Sequence, residues 1–425
     1  PNGRPYMHIS SYYTASVIVI LVGLIIYITG RNILKENPAE ALRAKIPSVN
    51  RSVVNITKKG FLNKLSFSSM WNIRYILRNK LRTFMGLTGV VGCCTLIVCA
   101  IGMLDSMNYF VKLQFEEIYN FKYKLDLKEN LKDDELEKIY SKYGRHTSKS
   151  LGIEIVNKEN KRESNNIFVT DAKDYVRFLD DKNKIKDKPG NDGVYITYKL
   201  ASIKGYNLGD EVKWHIYGDT KYYTSKIIGF NKDPQNQNMS MTKNYIESLG
   251  IKYVPDTLYT NVDLSETKEI HNVEVIQNIN NLKSGMSNML SRMKTMLALI
   301  ITIAVILGLV IIYNLGILSY TEKEYQFATL KVLGFKDKQI KKVFVKQNNW
   351  IAVLSIILGL PLGFKLTDWL FKTAIEEHYD FGASIKITTY IISAIGTFLL
   401  SYIVSKFLAR KINKIDMVTS LKGNE

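Results

Sequence analysis

Cysteine is nearly absent. The 425-residue chain has three, Cys93, Cys94 and Cys99, all in one apolar run. No disulfide framework or zinc spacing can be assembled from them, and they read as small residues inside a packed helical bundle. The five histidines, His8, His146, His215, His271 and His378, show no metal-ligand spacing. No G-x-x-x-x-G-K-[ST] phosphate loop, H-E-x-x-H or G-x-S-x-G stands anywhere in the chain. Nucleotide binding by a phosphate loop and the matching hydrolytic chemistries are thereby excluded. Acidic residues between 106 and 291 are scattered and balanced by lysines, as on a solvated surface. No catalytic residue, metal or cofactor is expected.

Charge is missing from five windows: Ser10–Gly30, Thr83–Leu104, Thr295–Thr321, Gln347–Phe364 and Ile387–Ser405. Crossing the hydrocarbon core takes about 20 residues at about 1.5 Å each. All five windows are long enough; the fourth, Gln347–Phe364, is short but extends past Lys365 and Asp368 through Trp369, Leu370 and Phe371. Hydrophobic residues make up 46% of the chain, yet its mean hydropathy is only −0.06. The apolar residues are therefore concentrated in spans, with polar regions elsewhere.

The net charge of +19 is distributed as membrane topology requires, not as a nucleic-acid footprint. Arg31–Arg82 carries 12 Lys/Arg against 2 Asp/Glu, Glu322–Lys346 carries 7 against 3, and Lys406–Glu425 carries 5 against 2. Ser106–Ser291 is almost neutral, at 28 against 27. If the spans alternate, the three basic segments share one side, which the positive-inside rule makes the cytoplasm. The insert and the loop Lys372–Lys386 then lie outside. So does Pro1, and five spans without an initiator Met or a signal peptide suggest part of a longer chain.

The segment after the first span, GRNILKENPAEALRAKIP (Gly30–Pro47), aligns with ARKINKIDMVTSLKG (Ala409–Gly423) after the last: Arg31 on Arg410, Ile33 on Ile412, Lys35 on Lys414, Leu42 on Leu421. Equivalent ends of two duplicated membrane units are expected. Phe61–Arg82 has Leu65, Trp71, Ile73, Ile76 and Leu77 set against Arg74, Arg78 and Arg82, an amphipathic helix at the inner interface. In the insert, helical spacing continues from the second span through Met107, Phe110, Leu113, Phe115 and Ile118. A helix is expected at Tyr198–Lys204. Strands are expected where Val212, Trp214 and Ile216 alternate and over Tyr222–Ile228, with turns at glycines 205, 209, 218 and 229. A small α+β sheet domain follows, with a second helix at Val273–Leu297 leading back to the membrane.

Within the spans, Lys365 and Asp368 sit three apart, so they pair, or Lys365 snorkels outward. No line of polar residues that would wet a conduit is evident. Gly86, Gly89 and Gly92 allow close helix packing, and Gly359, Pro361 and Gly363 should bend or soften their helix.

Between the third and fourth windows lies QFATLKVLGFKDKQIKKVF, Gln326–Phe344. Glu322–Leu333 reads as a helix with Phe327, Leu330 and Leu333 on one face. Gly334 is placed to end it in a left-handed conformation. Asp337 would cap a second helix carrying Ile340, Val343 and Phe344. The result is a stiff elbow joining two spans, apolar on one face.

FATLKVLGF, Phe327–Phe335, resembles the signature of the FtsX-like permease family, the membrane subunits of MacB-type ABC transporters. GVYITYKLASIKGYNLGDEV (Gly193–Val212) is similar to that family's outer-domain segment, and the likeness covers roughly Ser66–Gly423. The motif departs at Gln326, where an acidic residue is usual; Glu324 is the nearest acid. The resemblance implies a membrane α-helical bundle with an extracytoplasmic α+β domain. Residues 1–45 would be the last span of a preceding FtsX-like unit and its cytoplasmic end, 46–82 a linker with the interfacial helix, 83–105 a span and 106–292 the outer domain. Residues 293–425 would form three spans with a coupling loop at 321–346 and a cytoplasmic tail.

By the same resemblance, the chain is a multi-pass plasma-membrane permease subunit and not itself an enzyme. A separate cytoplasmic ABC ATPase dimer docks on Glu324, Gln326, Phe327, Leu330, Lys331, Leu333, Gly334 and Phe335. ATP hydrolysis there moves the outer domain, for export, extraction or resistance to peptides or lipophilic compounds, and no substrate crosses the lipid. The expected partners are that ATPase, membrane lipids and the N-terminal half of the same permease or a second copy; nucleic acid is not among them. The alternatives are a receptor or sensor, or a regulator of cell-wall hydrolases acting through the outer domain. A sensor predicts an intracellular signalling domain and an intramembrane enzyme predicts mid-bilayer catalytic groups; neither is evident.

Overall fold

The computed structural model describes residues 80–415, apart from 130, 157–161, 173, 268, 322 and 375–378, together with Met70 and helical positions between Tyr13 and Tyr27. The linker and interfacial helix expected over 46–82 and the first repeat copy at Gly30–Pro47 otherwise fall outside these residues. The chain forms two compact units. One comprises Leu81–Gly316 and Asn348–Ser405; the other comprises Pro1–Lys80, Ile317–Gln347 and Lys406–Glu425.

Among the described residues, four helices are long and apolar enough to cross a membrane: Thr83–Ile118, Ile279–Thr321, Asp337–Thr373 and Ile387–Asn413. Their α-helical cores are α1 (Lys80–Lys112), α5 (Ile279–Thr321), α7 (Asp337–Ala374) and α8 (Ile387–Ala409). Each outruns its charge-free window, because helix propagation continues through charged residues that hydrophobicity alone would exclude. Thus α1 passes Asp105 and Lys112 and ends in a π-helical turn, Leu113–Ile118.

Small residues set the spacing of the bundle around α1. A Cβ on Gly308 of α5 would lie 2.2 Å from Cys93 Sγ, one on Gly359 of α7 2.8 Å from Cys94 Cβ, and one on Gly363 2.5 Å from Val98 Cβ. Cys93, Cys94 and Cys99 are free and buried, as expected. The glycines of α7 are therefore contact points, and the α-helix continues through Pro361. Of Gly86, Gly89 and Gly92 in α1, Gly89 meets Ile311, while a Cβ on Gly92 would have open space. Asp368 pairs with Lys372 at 2.7 Å, one turn on, and not with Lys365. One polar row escaped the sequence reading. Thr389, Ser393, Thr397, Ser401 and Ser405 recur every fourth residue on α8, and all are buried.

Between α1 and α5 lies a sheet-rich domain, larger than the small sheet expected. Nine strands run in the order β11-β1-β10-β2-β3-β9-β6-β8-β7. They are β1 Tyr123–Leu127, β2 Thr147–Val156, β3 Arg162–Thr170, β6 Val194–Thr197, β7 Glu211–Ile216, β8 Tyr222–Asn231, β9 Met239–Thr242, β10 Thr257–Thr260 and β11 Val273–Asn278; β4 (Phe178–Leu179) and β5 (Ile185–Lys186) pair separately. An additional β2–β7 pairing closes β2, β3, β9, β6, β8 and β7 into a ring. Closure leaves those strands no free edge. Inside it lie Ile153, Ile167, Val194, Val212, Trp214 and Ile227, all essentially inaccessible. Beyond the ring, α2 (Asp133–Tyr143) covers β1 and β10 with Leu136, Ile139 and Tyr143.

The expected helix Tyr198–Lys204 is α3, ended by left-handed Gly205, and α4 (Lys243–Ser248) follows β9. Gly209 and Gly218 also have positive φ, but Gly229 lies within β8, where a Cβ would meet the Tyr195 ring. Val273–Asn278 is a strand paired to β1, and helix begins only at Ile279. The alternation Val273, Val275 suits a pleated edge, and helical spacing starts after it.

Candidate functional site

The elbow follows α5. Lys323 breaks the helix, α6 (Glu324–Val332) follows, and α7 starts at Asp337. Phe327 and Ala328 are fully buried. The Phe327 ring stands edge-on to Phe344 of α7, with centroids 6.2 Å apart and an 84° interplanar angle. Ile340 is buried on the same helix. Edge-to-face pairs favour this geometry beyond simple burial. Leu330 is half-buried, as are Glu324 and Gln326; the Glu324 carboxylate sits in the first turn of α6, where the helix dipole favours negative charge.

Gly334 has φ +88°. Phe335 N donates to Leu330 O and Gly334 N to Lys331 O, both at 3.0 Å. These are the 6→1 and 5→2 bonds of a Schellman motif, which satisfy the last carbonyls of the helix. The left-handed ending expected at Gly334 is therefore present. Leu333, expected on the apolar face with Phe327, is instead 69% exposed. The helix closes at Val332, so the hundred-degree periodicity no longer carries Leu333 inward. Tyr325, Val332 and Phe335 are also exposed.

Asp337 is the first residue of α7 and not its cap; Lys336 N is satisfied by Gln339 Oε1 at 3.0 Å. The Asp337 carboxylate faces Lys331 Nζ at 3.1 Å, and the same ammonium lies 3.4 Å from the Ile415 carbonyl oxygen. Lys331 thus joins α6, α7 and the segment after α8. Tyr320 Oη donates to the Lys411 carbonyl at 3.3 Å, and Ile412 and Ile415 are buried. One participant was not anticipated. Lys323, only 1% exposed, hydrogen-bonds the Gln347 side-chain oxygen. Its signal was a lysine set between Glu322 and Glu324 just past a charge-free run.

The architecture is that of a polytopic membrane protein carrying a sheet-rich domain between its first and second described spans. Residues 298–417 match the family model for the FtsX-like permease C-terminal domain. That stretch covers most of α5, the whole elbow, α7 and α8, and it contains the motif Phe327–Phe335. Gly193–Val212 lies outside it. No curated protein sequence matches the chain significantly.

Proposed function

We propose that this chain is the permease subunit of an ABC transporter, in which a separate cytoplasmic ATPase dimer drives movement of the sheet domain. The observation that carries the reading is the elbow, within the stretch that matches the permease family. Its root is fastened by Phe327, Lys331 and the Gly334 turn, while Tyr325, Val332, Leu333 and Phe335 remain exposed. A fastened root with apolar side chains held outward suits an element that receives force from a docked partner.

Glu324, Gln326, Phe327, Leu330, Lys331, Leu333, Gly334 and Phe335 form the coupling element within a loop at 321–346. The positive-inside pattern of the basic segments supports a cytoplasmic loop and tail and an outer sheet domain, residues 106–292. Cargo is moved by mechanical work on that domain: export or extraction of, or resistance to, peptides or lipophilic compounds. The N-terminal half of the same permease, or a second copy, completes the membrane unit.

The test is reconstitution with the cognate ATPase. Leu333→Asp should abolish permease-dependent stimulation of ATP hydrolysis while leaving the permease folded. Unchanged stimulation would overturn the assignment of this segment.

A further inference from the structure

The sheet domain holds a cavity of about 420 Å³ on the outer face of the ring. Strand register fixes its character. On β3, Ile167 and Val169 point into the core, and Asn166 and Phe168 point to the cavity; on β9, Met239 and Met241 face the core, and Ser240, with Asn238 just before the strand, the cavity. Phe168 is paired with Ser240 and with Ser150, and Ser148 with Thr257. An ordinary solvent face with this alternation would be exposed. Here Ser148, Ser240, Asn238 and Thr257 are at least nine-tenths buried. The segment from Asn231 to Asn238 and Tyr379, from the loop between α7 and α8, also line the space. Asp380 N donates to the Pro234 carbonyl at 2.8 Å, which fastens that loop to the wall.

Two deep amides in the wall are incompletely used. Gln237 donates Nε2 to the Asp233 carbonyl, which fixes its orientation, and Asn231 is 4% exposed; among the described residues neither side-chain oxygen has a hydrogen-bond partner. Buried acceptors without donors are costly and call for a donor from elsewhere. The charges are largely engaged by the protein. Lys124 pairs with Asp126, Lys232 donates to Asn183, Asp233 accepts from Gln235 N and Asn236 N, and Asp256 accepts from Ser150 N. What remains for a ligand is a set of neutral amides and hydroxyls beside the rings of Phe168, Tyr259 and Tyr379, with half-buried Arg177 also lining the space; its guanidinium only donates, and a hydroxyl can accept from it.

We infer that this cavity binds a neutral, hydroxyl-rich ligand of the size of a mono- or disaccharide. Amides and hydroxyls both donate and accept, as sugar hydroxyls do, and aromatic rings offer apolar faces to the C–H side of a sugar ring. The volume falls within the range of small-ligand pockets, roughly 300–1,000 Å³. An extended peptide bound by strand addition is disfavoured. The strands that carry this face each have a strand neighbour on both sides in the sheet. The assignment does not depend on the transporter reading.

The test uses the full chain in phosphatidylcholine nanodiscs, so that no glycoside detergent competes. Maltose, mannobiose and chitobiose are titrated by calorimetry and saturation-transfer NMR, with tetra-alanine as the peptide probe. At least one disaccharide should bind. Asn166→Ala, at the exposed mouth, should weaken it about fivefold, the worth of one neutral hydrogen bond. Phe168→Ala should weaken it further, and Ser240→Leu, which fills the floor, should abolish it. The melting temperature of Asn166→Ala should match that of the parent, which keeps the result interpretable if a deeper variant misfolds. Absence of binding by all three disaccharides, tetra-alanine binding in their place, or affinities untouched by all three substitutions would overturn the inference.

Discussion

Lys331 Nζ stands 3.1 Å from Asp337 Oδ1 across the left-handed turn at Gly334, so one ion pair fastens the end of α6 to the start of α7. The lysine side chain is only 11% exposed and the aspartate 42%. A pair so placed contributes at most about 1 kcal/mol of coupling. Its second bond, to the Ile415 carbonyl, adds the cost of leaving a buried acceptor unpaired. Lys331→Met should therefore lower the melting temperature more than Asp337→Asn does. The double variant should resemble Lys331→Met alone. A thermal-unfolding cycle of the four proteins checks this, and fully additive losses would count against the pairing.

Gly334 separates conformation from space. A Cβ there would meet nothing within 4 Å, yet φ is +88°. Substitution therefore strains the backbone without a clash. Gly334→Val should cost about 1–2 kcal/mol, Gly334→Ala less, and Gly334→Asn least, because asparagine tolerates the left-handed region. The same order is expected in ATPase stimulation if the elbow transmits force. An order that followed side-chain volume, with asparagine worse than alanine, would show that contact and not φ is limiting.

What the sequence could reveal tracks how local each feature is. The Gly334 turn was legible because a glycine after an amphipathic turn and a left-handed ending are one local event. So was α3, with Gly205 at its end. Leu333 was misplaced because one residue of early helix termination turns it outward. That Gly359 and Gly363 are contact points was not legible, because a glycine's neighbour across a bundle, here Cys94 or Val98, is not written beside it. The pairing of Asp368 with Lys372 and not Lys365 turned on helix continuity beyond the charge-free window. Strands such as β6 and β9 gave little signal, since Val194–Thr197 and Met239–Thr242 are buried along their whole length and show no alternation in exposure. The burial of Lys323 and the closing β2–β7 pairing depend wholly on distant partners.

The α1–α7 contact should respond to single methyl groups. A Cβ on Gly363 would lie 2.5 Å from Val98 Cβ and 3.2 Å from the Thr95 carbonyl oxygen. Gly363→Ala should destabilise the solubilised protein by about 1–3 kcal/mol, the usual cost of overpacking. Val98→Ala, which empties the facing position, should restore part of that loss when the two are combined. Thermal unfolding in a mild detergent reads both effects. A single variant as stable as the parent would mean that α1 and α7 are farther apart than described.

Asp233 should make the sheet domain's stability depend on pH. Burial first, and then the nearby Asp380 carboxylate, raise its pKa from 3.8 to about 6, although Asn236 and Gln235 N–H groups oppose the shift. Because the folded value lies above the unfolded one, the native state binds the extra proton between them. Stability from this group is therefore greatest at low pH and falls as pH rises from about 4 through about 6. Asp380 is raised in the same direction, by burial, and Lys199 and Lys232 partly offset it. Asp233→Asn keeps an oxygen to accept from Gln235 N and Asn236 N but carries no charge. Melting curves across this range should show the parent losing stability toward neutral pH relative to the variant, with the two converging at the acid end. A parent that instead gained on the variant as pH rose would place the Asp233 pKa below its ordinary value and contradict the buried setting of this wall.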